Sequence, residues 1–319
     1  MLDFSVARAL GLMARTMPFL VLRLLVYSGI ALAYVLLTSI GAGLGWLIGA
    51  AGSDEFQDWA AVFGGIFGFG LTAAILYFLQ EYVLYIVKAG HIAVMIELME
   101  GRPLPQGRSQ IEHASAVVRQ RFAESNGLFA LDQFIKGVLG VVMGLVQGIA
   151  TFLPTPGLQP LLSLFRAFLR VSIGFMDEVI LGYSIRSKTT NAWDSARTGL
   201  VLYAQNSGPM LRNGAFLTVF VYGLSFVLFL FMLAPAMAIA YETPGGWSAG
   251  GIVFALLFAW AVKAAVIEPF AVACMMQAYF KVTAGQAPDP NWDARLATAS
   301  GKFQELKSKA AGWGTRATV

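Results

Sequence analysis

Four apolar runs, residues 22–50, 60–88, 214–240 and 248–280, constrain this chain more than any other feature. Each exceeds the roughly 20 residues that an α-helix needs to cross the hydrocarbon core of a bilayer. Only helices and closed barrels satisfy the backbone there, and barrel strands alternate apolar and polar side chains with a period of two. These runs are continuous, which excludes a barrel and predicts an all-α, polytopic helical membrane bundle. Composition agrees: 57% of residues are hydrophobic and 13% charged, against about 25% charged in soluble domains. The first run far outlasts the apolar core of a cleaved secretion signal and lacks an A-x-A site, so it is expected to stay as a membrane helix.

Charge sets the orientation. The link "AGSDEFQD" (51–58) holds Asp54, Glu55 and Asp58, and "YETPGGW" (241–247) holds Glu242; neither contains Lys or Arg. Basic residues gather on the other side, from Arg8, Arg15 and Arg23 through Lys88 and Arg102 to Arg186, Arg197, Arg212 and the C-terminal lysines. Positive residues stay cytoplasmic, so both termini are expected there, in a bacterial cytoplasmic (inner) membrane. Trp46, Trp59, Tyr241 and Trp247 fall at the outer ends, where an aromatic belt belongs. The net charge of +4 is read as membrane anchoring: the expected partner is the lipid bilayer, with no nucleic acid.

About 125 residues separate the second and third runs. Residues 135–153 and 161–183 read as a hairpin around Pro154, Pro156 and Pro160, which forbid a continuous helix. The expected bundle therefore has six membrane segments, four spans plus a hairpin that crosses or re-enters. Asp132 and Lys136 are spaced for an i,i+4 ion pair, and Arg166, Arg170 and Asp177 share a helical face. In "GFMDEVILGY" (174–183), Asp177 is expected to anchor packing while its neighbour Glu178 is freer. Residues 1–280 form one membrane domain on this reading. Residues 281–319 form a solvated basic tail that would recruit a partner or anionic head groups.

Glycines recur every fourth position: Gly41, Gly45 and Gly49; Gly64 and Gly68; Gly140, Gly144 and Gly148. Such stripes let helix backbones approach closely, within the chain or, through 140–148, between subunits or with a membrane partner protein.

Enzyme signatures are scarce. His91 and His113 stand in no zinc spacing, Cys274 has no histidine nearby, and no P-loop or nucleophile elbow occurs. No enzyme activity, metal or cofactor is expected. What remains is charge at membrane depth, which is expensive and marks either a polar pathway or interhelical ion pairs. Glu81 lies on a stripe with Tyr77, Tyr85 and Lys88. Lys263 sits one turn from Trp260, and Glu268 precedes Pro269, which should kink the helix. Residues five apart lie about 140° around an α-helix, so Lys263 and Glu268 are expected to face different surroundings rather than each other.

From about residue 175 the chain resembles the choline-transporter-like family. "NAWDSARTGLVLYAQN" (191–206) is similar to that family's helix of Ser-Ala-Lys type, with Ser195, Ala196, Arg197, Leu202 and Asn206 at matching positions and Gln205 in place of an arginine. "VIEPFAVACMMQAYF" is similar to the family's final helix: Glu268 matches its glutamate, and Val272 stands where it has an aspartate. "GFMDEVILGYSIR" corresponds loosely to a further family stretch. The family's fold implies about ten spans and a large extracellular loop, so this chain would be a shortened relative. The resemblance implies choline or a related amine lipid precursor as substrate, and the charge at membrane depth makes Lys263, Glu268, Trp260 and Glu81 the pathway candidates. A quaternary amine favours an aromatic cage, for which Trp260, Tyr222 and Phe270 are available. The other expectation is a non-transporting scaffold that binds a partner through its cytoplasmic helices and tail.

Overall fold

The computed structural model describes residues 2–103, 109–121, 131, 134–141, 144, 175–187, 189, 191–241 and 248–313. It is helical, with no strand among the described residues: α1 (Val6–Arg15), α2 (Met17–Gly49), α3 (Asp54–Met99), α4 (Gln110–Arg121), α5 (Met176–Arg186), α6 (Ala192–Gln205), α7 (Ser207–Tyr241), α8 (Ser248–Val262), a π turn (Lys263–Ile267), α9 (Glu268–Val282), α10 (Pro290–Ala299) and α11 (Gly301–Ala311). Four stretches are long and apolar enough to cross a membrane: Met17–Gly49, Asp54–Leu76, Ser207–Ala238 and Gly251–Val282. They overlap the four runs of the sequence, the second lying at Asp54–Leu76 rather than 60–88, and the protein is an all-α integral membrane bundle. The hairpin expected over 135–183 lies mostly outside the described residues, as do Asp132, Arg166, Arg170 and Gly148.

The described residues form two compact units. One comprises Phe19–Val87 and Val221–Glu268 and contains most of the apolar helix surface. Here α2 and α3 meet along glycine. A methyl built on Gly41 would overlap the Gly64 carbonyl oxygen, one on Gly45 the Ala60 carbonyl, and one on Gly68 the Leu37 carbonyl. Only a bare Cα permits that approach. The glycine stripes of 41–49 and 64–68 are thus used up within the chain, whereas a methyl on Gly140 or Gly144 meets nothing within 4 Å among the described residues. Two apolar clusters close the unit. Tyr27, Ile30, Ala31, Leu84, Ala261, Ala264 and Ala265 form one; Val35, Ala236, Phe254 and Ala255 form the other. Outward-facing Leu25, Leu47, Ile48, Phe63, Phe67 and Phe231 stay exposed, as lipid contact requires.

The other unit comprises Met1–Pro18, Lys88–Phe220 and Pro269–Val319. Its helices are capped by their sequence. Ser5 accepts from the Arg8 N–H, Asn191 from the Asp194 N–H, Asp289 from the Asn291 N–H with Pro290 following, and Ser300 from the Phe303 N–H. The expected solvated tail is instead folded. α10 and α11 pack on α6 and on each other, burying Leu296, Phe303, Leu306 and Ala310. Asn191 Nδ2 donates to the Ala310 carbonyl at 2.7 Å. Spacings of three and four put Phe303, Leu306 and Ala310 on one helix face, and burying that face outweighs the polar composition of the segment.

Candidate functional site: a charged π turn in a spanning helix

The stretch Gly251–Val282 changes register at residues 263–267. The Glu268 N–H bonds to the Lys263 carbonyl, an i→i+5 contact, so one turn carries an extra residue. Pro269 supplies the reason. It has no N–H to donate, and its ring disfavours an unbroken α register at that point. The Ala264 carbonyl then has no helical donor: its α partner, Glu268 N–H, has gone to Lys263, and its i+5 partner is proline. Arg23 of α2 takes that carbonyl, with Nη2 donating at 3.1 Å.

The same turn overturns one expectation. Lys263 Nζ donates to Glu268 Oε1 at 2.9 Å, each side chain 20% exposed. Five residues apart would mean 140° apart in an α-helix, but i→i+5 bonding stacks them one above the other. The ammonium also stands 5.4 Å from the ring centroid of Tyr222, a cation–π contact. Trp260, one turn earlier, meets Tyr27 edge-on at 5.4 Å between centroids. Phe270 packs against Phe220, at 5.7 Å between centroids.

Arg23 was counted among the basic residues at the cytoplasmic boundary, where a long side chain snorkels. The structure buries it completely, the largest side chain so enclosed among the described residues. Its guanidinium carbon lies 6.0 Å from the centroid of Tyr27. Sequence reasoning missed this residue because its partner is 241 positions away. The one available signal was its place at the very start of an apolar run.

The remaining candidates divide. The side chains of Glu81, Tyr77 and Tyr85 lie outside the described residues. Lys136 is exposed. In "GFMDEVILGY" Glu178 is not the freer residue. Glu178 is buried and pairs with Lys88 at 2.8 Å, because α5 turns that face inward. Asp177 is half-buried and accepts from the Glu178 N–H at 2.9 Å. A groove of about 840 Å³ runs along Gly41, Gly45, Trp59, Phe63 and Phe67; neither Lys263 nor Glu268 lines it.

Fold and site together define a helical integral membrane protein with a charged π turn inside a spanning segment. No family model matches the chain, and neither does any curated protein or solved structure.

Proposed function

We propose that this protein is a membrane carrier, not an enzyme, for a small amine or lipid-related solute, with the π turn as its polar site. One observation carries the reading: Lys263 and Glu268 form an ion pair on a spanning segment at a point where the helix register is broken. Charge inside a span marks solute and ion pathways, and π turns recur at functional sites. The resemblance of residues 175–280 to choline-transporter-like proteins supports the substrate class, and the charge asymmetry supports a cytoplasmic-membrane orientation with both termini inside. Uptake of labelled choline, ethanolamine and their phosphate esters into proteoliposomes tests it. Accumulation should fall at least tenfold in Glu268→Gln, and equal uptake by empty liposomes would refute it.

A second reading, a non-transporting scaffold, draws on the ordered C-terminal helices α10 and α11, whose outer faces are polar. Cross-linking in native membranes separates the two readings, because a scaffold requires a stoichiometric protein partner.

A further inference from the structure

Arg23 has more hydrogen-bonding capacity than the chain uses. A guanidinium carries five N–H donors and no acceptor. One bond goes to the Ala264 carbonyl, while Nε and Nη1 are buried with no hydrogen-bond partner. Leaving buried donors of a charged group unmatched is costly, and the cost is tolerated where the group has a ligand to meet. The charge count around the turn points the same way. Lys263 and Glu268 neutralise each other, so among the described side chains at the turn Arg23 carries a positive charge with no carboxylate paired to it. A cation–π contact with Tyr27 at 6.0 Å offsets part of its desolvation but occupies none of its donors.

From these observations we infer that Arg23 is the recognition group for an oxyanion of phosphate type, so that the ligand at the π turn is a phosphate-bearing zwitterion or anion rather than a bare amine. The planar fork of donors matches phosphate geometry, and an ammonium alone would meet an excess positive charge. The inference concerns binding and holds whether or not the solute is moved across the membrane.

The test uses the full-length protein purified in detergent. Thermal unfolding is followed with inorganic phosphate, with phosphocholine and with choline chloride, at matched ionic strength. Native mass spectrometry of the same preparation reads retained phospholipid. A ligand at about 100 times its dissociation constant should raise the melting temperature by about 3 °C or more. Phosphate or phosphocholine is expected to do so and choline chloride is not. Arg23→Gln, which keeps a donor for the Ala264 carbonyl, should abolish the shift. Arg23→Lys should retain a fraction, which keeps the comparison available if the glutamine variant fails to fold. A shift with the soluble esters assigns a soluble ligand; a phospholipid that co-purifies with the wild type and is lost from Arg23→Lys assigns a lipid head group. No shift and no retained phospholipid in the folded wild type overturns the inference, as does an equal shift in wild type and variants. Failure of uptake with phosphate binding intact would refute the carrier reading alone.

Discussion

Glu178 carries its carboxylate into a helical core, where Lys88 reaches it. Removing one partner of a buried pair leaves the other unmatched and is costly, up to about 3–5 kcal/mol when both are sealed. Lys88 is 27% exposed, so Glu178→Gln should cost less, about 1–3 kcal/mol. Asp177→Asn is expected to cost less again, since Asp177 is only half-buried. Thermal unfolding of the two variants checks the order. The sequence reading took Glu178 as the freer residue, because periodicity reports which positions share a face but not which face a neighbouring helix covers. Arg23 teaches the same lesson: its place at the start of an apolar run put it among the boundary cations, and a carbonyl supplied by a distant segment holds it buried.

Single helices obey their sequences more openly. The four spans were legible because apolar runs beyond 20 residues have few alternatives. The α2–α3 contact was legible from glycine spacing, although the spacing left the partner open. There a side chain has nowhere to go: Gly45→Val should block the approach to the Ala60 carbonyl and abolish the folded peak in size-exclusion chromatography. The π turn was half legible. Pro269 announced a broken register, but the Lys263–Glu268 pairing depends on how the break is absorbed, and helical-wheel geometry assumes there is none. Pro269→Ala restores an N–H and should return the segment to α register, separating Lys263 from Glu268. In a double-mutant cycle, Lys263→Met and Glu268→Met should couple by about 0.5–3 kcal/mol in the native background and by close to zero with Pro269→Ala. Coupling that survives the proline replacement would show that the π turn does not create the pair.

At the scale of the molecule, one carboxylate adds to the apolar face and the Asn191–Ala310 hydrogen bond that join the C-terminal helices to the rest of their unit. Asp293 Oδ1 accepts from Arg197 Nε at 2.7 Å and Oδ2 from Lys307 Nζ at 2.5 Å, so a single side chain ties α10 to both α6 and α11. Burial disfavours its charged form, but the hydrogen bonds and charges of Arg197 and Lys307 outweigh that and hold the carboxyl below its ordinary value of 3.8. Asp293 in turn raises Arg197. A depressed carboxylate contributes stability that is complete above the unfolded-state value and is lost as pH falls through the folded one. The docking of α10 and α11 should therefore be insensitive to pH near neutrality and weaken below pH 3.8. Hydrogen exchange of residues 290–311, corrected for intrinsic rates, reads this directly. Asp293→Asn should show reduced protection at pH 7 and no further loss on acidification from that site. The apolar contacts of Leu296, Phe303 and Leu306 persist in that variant, so partial protection is expected to remain. Complete release at neutral pH would mean that the carboxylate, rather than the apolar face, holds the tail in place.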